Sequence, residues 1–291
     1  MMKRRCVALL LLAAASSRAA ISVQDGSGAT VTLAQPAQRV VTLAPHATEL
    51  VYAAGAGERI VGASDYSDYP PAAKAIPRIG SSHQVDTERL LALRPDLLVV
   101  WQGGNADRLL EPLRRLGVPV YQSEPKRLDD IPDEVERLGK LTGTEARAQP
   151  AAAALRARLG ALAERYRGKP QVSVFYQVWD QPLYTLNGRQ IVSDAIRLCG
   201  GVNVFDNLAA LAPTVSVEAV LQKNPEVIVR GGEDAKASGL TMWKRYPVLL
   251  AAQRDNLYTV SSELMTRAGP RMVDGAEALC GLLEQARGKR R

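Results

Sequence analysis

One segment is used twice, and that constrains the fold most. Residues 85–104 read VDTERLLALRPDLLVVWQGG and residues 215–232 read VSVEAVLQKNPEVIVRGG. Each opens with a valine followed by a helix N-cap residue (Asp86, Ser216). A glutamate follows (Glu88, Glu218), then a leucine (Leu91, Leu221), then a proline (Pro95, Pro225) and an acid (Asp96, Glu226). An apolar run and a Gly-Gly pair complete both. The caps satisfy free helix N–H groups. Val85 with Leu90, and Val215 with Val220, occupy hydrophobic-staple positions. Glu88 and Glu218 fall in the first turn, where the helix dipole favours an anion. The prolines end the helices. Residues 97–101 and 227–229 then read as strands buried on both faces. One helix–strand unit per half of the chain predicts two similar α/β lobes. Each would present its loop at the C-terminal end of a parallel strand, where ligands are held in such sheets.

The remaining pattern fits that frame. Residues 21–33 suggest a β-hairpin around Asp25-Gly26. Strands are expected at 39–43, 60–63 and 119–122, and helices at 48–54, 106–116 and 128–142. Residues 146–167 are rich in Ala, Leu, Arg and Glu, which favours one long helix. It lies between the halves and reads as a rigid connector rather than a Gly/Ser linker. The second lobe is expected to contain a strand at 172–178, a loop at 179–182, and helices at 191–198 and 243–253. A strand at 256–260, a loop at 261–270 and a last helix at 271–287 follow. The expected divisions are a leader at 1–19, lobes at 20–143 and 169–291, and a connector at 144–168.

The leader reading rests on Lys3, Arg4 and Arg5, an apolar stretch at 7–15 too short to span a bilayer, and small residues at Ser17 and Ala19. Cleavage after Ala19 removes four positive charges, so the formal charge falls from +7 to +3. With no basic stripe interleaved with aromatics, nucleic acid is not an expected partner. Cys6 leaves with the leader, and Cys199 and Cys280 remain to form a disulfide in an oxidising compartment. No G-x-S-x-G or H-E-x-x-H occurs, and Gly55-x-Gly57 does not complete a dinucleotide fingerprint. A hydrolase or metalloenzyme is therefore a remote alternative.

At LAPHATELVYAAGAGERIVGASDYSDYPPAAKAIPRIG and PDLLVVWQGGN the chain resembles the cobalamin-binding branch of the helical-backbone, metal-chelate-binding proteins that serve bacterial ABC importers. The resemblance covers about residues 39–285. It implies a periplasmic, non-enzymatic protein, a monomer when free, with no cofactor of its own. Cobalamin or a related corrinoid would be carried in a cleft between the lobes and delivered to permease subunits. Tyr66 and Trp101 match aromatics that pack on the corrinoid, and Arg267 matches a cleft arginine. Glu88 and Glu218 match the acids that dock each lobe on the permease. Cys199 and Cys280 match the family's disulfide. The chain departs from the pattern at Ser82, Val178 and Ala212, where cleft aromatics are usual, and at Glu263, one methylene longer than the usual Asp. Trp179 and Tyr176 are candidates to replace lost stacking area. His46 and His83, the chain's two histidines, fall in expected cleft loops and are candidate contacts to a ligand's metal. The same fold carrying haem or a ferric siderophore is the alternative. Haem would call for an axial His or Tyr, and a siderophore for clustered arginines.

Overall fold

The protein is described from a computed structural model covering residues 20–81, 84–101, 112–115, 117–232 and 238–290. The expected leader, Ser82, His83 and most of the expected helix at 106–116 lie outside the described residues.

The first lobe begins with the antiparallel hairpin β1 (Ile21–Gln24) and β2 (Thr30–Leu33). Its sheet comprises β3 (Val40–Thr42), β4 (Ile60–Ala63), β5 (Leu97–Trp101) and β6 (Val120–Ser123), parallel and in the order β4-β3-β5-β6. The second sheet comprises β7 (Val172–Gln177), β10 (Gly201–Asn203), β11 (Val227–Gly231) and β12 (Leu257–Val260), parallel and in the order β10-β7-β11-β12. Taken in chain order, both sheets run 2-1-3-4. The duplicated unit supplies the third strand of each.

The two units agree closely. Helices α1 (Pro45–Ala53) and α2 (Thr87–Ala92) belong to the first lobe. Asp86 caps α2 by accepting from the Arg89 N–H at 2.9 Å. Later in the chain Ser216 caps the helix Val217–Lys223 by accepting from the Ala219 N–H at 3.1 Å. Leu90 and Val220 are fully buried, with Val85 and Val215 packed in the same clusters, as the staple requires. Arg94 and Asn224, each just before the proline, are both left-handed, with φ of 47° and 44°.

Helices α3 (Asp130–Thr142) and α4 (Glu145–Tyr166) pack side by side. A Cβ on Gly139 would meet that of Ala148 at 2.2 Å, so the missing side chain sets their close approach. The connector α4 buries Ala148, Ala152, Leu155, Leu159, Leu162 and Tyr166, a stripe at helical spacing. Its exposed face is tied to both sides of the molecule. Arg156 pairs with Asp133 and Glu136 of α3, and Arg158 with Asp274 and Glu277 near the C-terminus. Pro150 sits inside the helix without ending it.

The second lobe adds α5 (Ile191–Leu198), α6 (Val217–Lys223), α7 (Ser238–Thr241), α8 (Leu250–Gln253), α9 (Ser262–Thr266) and α10 (Met272–Gly288). Cys199, at the end of α5, is bonded to Cys280 of α10. Four local expectations need correction. Helix α1 begins at Pro45, three residues early, because proline suits the first helical position. Residues 179–182 are not a plain loop: β8 (Trp179–Asp180) and β9 (Leu183–Tyr184) pair as a hairpin. The stretch 243–253 breaks into a 3-10 turn and α8, since Pro247 bars the preceding residue from helix. The loop 261–270 contains α9.

Candidate functional site

In a sheet of order 2-1-3-4 the connections leave in opposite directions from the first and third strands, which opens a crevice at their C-terminal ends. Here those ends belong to β3 and β5 in one lobe and to β7 and β11 in the other. The residues that leave them line one cavity of about 470 Å³ between the lobes: Ala44, Pro45, His46 and Trp101 from the first, Tyr176, Val178 and Gly231 from the second. Leu186, Ile191, Leu211 and Met265 extend an apolar wall, with Gln190 and Thr266 among the polar groups. The cavity is thus a direct consequence of placing one sheet topology twice.

Trp101 ends β5 with 41% of its surface exposed, and the His46 ring meets it edge-on at 6.2 Å. Tyr66 stands at the rim, 78% exposed, with φ of 62°. Such a backbone is costly for a bulky residue and persists only where the surroundings hold it. Here the Asp65 N–H donates to the Gly80 carbonyl and Arg78 donates to the Ser67 carbonyl, both at 2.8 Å. The loop thereby presents the ring to the cavity mouth.

His46 is buried, and burial lowers its pKa to about 4 despite a hydrogen bond to the Ser123 backbone. It is neutral at ordinary pH. Its Nε2 has no hydrogen-bond partner among the described residues. The Tyr176 hydroxyl is equally buried and without a partner among the described residues, and burial pushes its pKa far up.

Arg267 lines the cavity and donates to Asp68 at 2.8 Å, with Glu49 at 3.5 Å. Arg271 grips the buried Glu49 carboxylate with two bonds, at 2.7 and 3.0 Å, and lies over the Tyr69 ring at 4.0 Å. Glu49 belongs to α1, so these contacts bridge the lobes beside the cleft. Burial opposes ionisation of Asp68, but the bond and charge of Arg267, aided by Arg271, hold its carboxyl below the usual range. Nothing local in the sequence signals the Glu49–Arg271 pair, whose members stand 222 residues apart.

The structure brings Tyr66, Trp101, Val178 and Arg267 to the cavity wall together with His46 and Tyr176. Trp179, Ala212 and Glu263 are not part of that wall. Trp179 is 59% exposed and donates to the Gln181 carbonyl, Leu211 lines the cavity beside Ala212, and Glu263 pairs with Arg271 at 3.4 Å. Glu88 and Glu218 occupy the second position of α2 and α6, exposed on their lobes. Glu124 and Pro125, just beyond β6, also line the cavity, which the rule about strand ends could have flagged. Among the described residues no group of His, Cys, Asp and Glu is arranged to hold a metal ion. No described helix is long and apolar enough to cross a membrane.

Comparison with known proteins agrees with this architecture. The vitamin B12-binding protein of Vibrio cholerae serotype O1 is 39% identical over 252 residues, 86% of this chain and 91% of the relative. That of Yersinia pestis is 36% identical over 248 residues, 85% of this chain and 86% of the relative. The crystal structure of periplasmic vitamin B12 binding protein BtuF of Vibrio cholerae superposes with a TM-score of 0.81 at 38% identity, covering 87% of this chain and 98% of that one. The periplasmic heme-binding protein RhuT from Roseiflexus shares the fold at 23% identity, with a TM-score of 0.73 over 86% of this chain and 98% of that one. The family described as periplasmic binding protein matches residues 40–263, and the chain belongs to it.

Proposed function

We propose that this chain captures vitamin B12 or a closely related corrinoid in the cavity between its lobes and delivers it to the permease of an ABC importer. The observation that carries the reading is the 39% identity to a vitamin B12-binding protein over 86% of the chain, a span that includes both lobes and the cleft. The site suits the cargo. Capture needs apolar area and a few placed polar groups, not covalent chemistry. Tyr66 and Trp101 offer ring faces at the cavity mouth, and Arg267 offers a held guanidinium. Glu88 and Glu218 would dock one lobe each, since a two-fold permease needs an equivalent contact from both. Residues 1–19 would be removed on export to the periplasm. Lobes 20–143 and 169–291 would then move little about the connector 144–168, because ion pairs tie that helix to both sides.

Calorimetric titration of the mature protein with cyanocobalamin, cobinamide and haem tests the cargo. Tight one-to-one binding of cyanocobalamin is expected. Uptake of haem alone would replace the corrinoid. Glu88→Arg with Glu218→Arg is expected to abolish transport and spare ligand affinity. Loss of binding in that double variant would sink the docking assignment.

A further inference from the structure

Two residues that line the cavity, one from each lobe, carry a buried polar atom with no hydrogen-bond partner among the described residues. The atoms are His46 Nε2 and the Tyr176 hydroxyl. Buried polar groups in folded proteins are almost always hydrogen-bonded, so two exceptions on residues that line one cavity point to a ligand as the partner. His46 is 6% exposed and Tyr176 2%. His46 is the second residue of α1, which follows the first strand of its sheet, and Tyr176 is the penultimate residue of the first strand of the other, where the topology opens the crevice.

Their chemistries differ. The Ser123 backbone takes the hydrogen bond of one His46 ring nitrogen, so the proton of the neutral ring is committed there. Nε2 is left as an acceptor with no hydrogen to give. The Tyr176 hydroxyl stays protonated and donates. Gly231 lies against it, and a side chain there would crowd it: a Cβ would stand 3.0 Å from the hydroxyl oxygen. The cavity therefore offers an uncharged acceptor from one lobe and an uncharged donor from the other. A primary carboxamide complements both, giving an N–H to the first and an oxygen to the second. A carboxylate complements only the donor, and it sets lone pairs against Nε2.

We propose that His46 is a specificity-determining residue of the cavity and that Tyr176 adds affinity beside it. His46 Nε2 accepts from a ligand carboxamide N–H, which selects an amidated corrin edge against an acidic one, and the Tyr176 hydroxyl donates to a carboxamide oxygen. This rests on the corrinoid reading and deepens it: the corrin periphery is rich in carboxamides, whereas haem carries two propionates. The residues have separate duties. His46 discriminates amide from acid. Tyr176 strengthens binding of both, because a hydroxyl donates to either.

The test titrates wild type, His46→Leu, His46→Gln and Tyr176→Phe with cyanocobalamin and with its separated monocarboxylate isomers. Thermal melts verify that each variant is folded. Wild type is expected to disfavour at least one isomer by roughly tenfold, the scale of one lost buried hydrogen bond. His46→Leu should bring that ratio near one, and His46→Gln, which keeps an acceptor, should restore part of it. Tyr176→Phe should weaken amide and acid alike, by roughly five- to tenfold. An amide-to-acid ratio unchanged in His46→Leu overturns the proposal while corrinoid binding stands. So does an imidazole-ligated spectrum of bound aquocobalamin that His46→Leu abolishes, since His46 would then be a cobalt ligand. If wild type takes up no corrinoid at all, this proposal and the corrinoid reading fall together.

Discussion

At the last residue of the third strand, the two lobes share a register and differ in substance: Trp101 in one, Gly231 in the other. Val99 and Val229 both pair with the first strand of their sheets, two residues before these ends. The partner strands differ as well. Opposite Val99 stands Thr42, whose hydroxyl is satisfied by Thr48 at 2.7 Å, while opposite Val229 stands Tyr176, whose hydroxyl has no partner among the described residues. One lobe thus contributes a projecting aromatic wall and the other a recess with a polar floor. Duplication of the scaffold fixes where strand ends point. The chemistry of the cleft comes from what breaks the symmetry at equivalent positions.

The largest expected effect concerns a device that only the second lobe possesses. The Cys199–Cys280 bond joins α5 to α10 across 81 residues. A loop of that length stabilises through restriction of the unfolded chain by roughly 2–5 kcal/mol. Cys199→Ser with Cys280→Ser should lower the urea midpoint accordingly, and reductant should do the same to wild type. Equal midpoints would mean that the surrounding core, in which both sulfurs are fully buried, holds this lobe unaided.

Exchange of the asymmetric pair comes next. Gly231→Trp places a ring where even a Cβ would approach the Tyr176 oxygen to 3.0 Å, so the recess closes. Ligand affinity should fall about a hundredfold. Trp101→Gly removes a wall without blocking the cleft and should cost about tenfold, the scale of one lost aromatic contact. The double exchange should not restore binding, because the polar floor has no counterpart at Thr42. Calorimetry on the four proteins decides. Rescue in the double variant would mean that the lobes are interchangeable.

The first lobe also holds two buried titratable groups of opposite sign. Burial lowers His46 to about 4 and raises Glu134, on α3, to about 7, although nearby Ser123 and Tyr121 draw the latter part-way back. In the unfolded chain His46 titrates near 6.5 and Glu134 near 4.5. The stability contributed by neutral His46 is present above pH ~6.5 and lost as pH falls towards ~4. That from protonated Glu134 is present below ~4.5 and lost as pH rises through ~7. Each is of order 3 kcal/mol, and between pH ~4.5 and ~6.5 they nearly cancel. Wild-type stability should be almost flat across that window. Glu134→Gln should make stability rise with pH, and His46→Leu should make it fall. Urea titrations at stepped pH check the signs.

Much of this molecule was legible because its signals are local. The caps at Asp86 and Ser216, the staples, and the helix ends before Pro95 and Pro225 all act within a turn of chain, and the connector was placed within a residue at each end. Strand β10 was missed, since three residues that begin on the second of two glycines show no period. The outward face of Trp179 follows from alternation with the cavity-lining Val178, a signal present in the sequence and not used. The Glu49, Arg267 and Arg271 bridge was not legible, because only the folded arrangement of the lobes brings α1 against the segment before α10.

The smallest expected effect returns to the duplicated unit. Asp86→Ala and Ser216→Ala each remove one cap bond, worth about 1 kcal/mol. The first should cost slightly more, by a few tenths, since Asp86 also carries a charge that the helix dipole favours. The second has a separate readout. Glu218, in the first turn of α6, is held below the usual carboxylate range by its own backbone N–H and by Ser216. Ser216→Ala should therefore move the Glu218 titration upward in an NMR pH series. A downward shift with little loss of stability would instead show Glu218 taking over the cap, since a carboxylate that accepts the freed N–H titrates lower. In that case the exposed glutamate would be oriented by its own helix end before any permease is met. An unmoved titration would leave Ser216 a cap and nothing more.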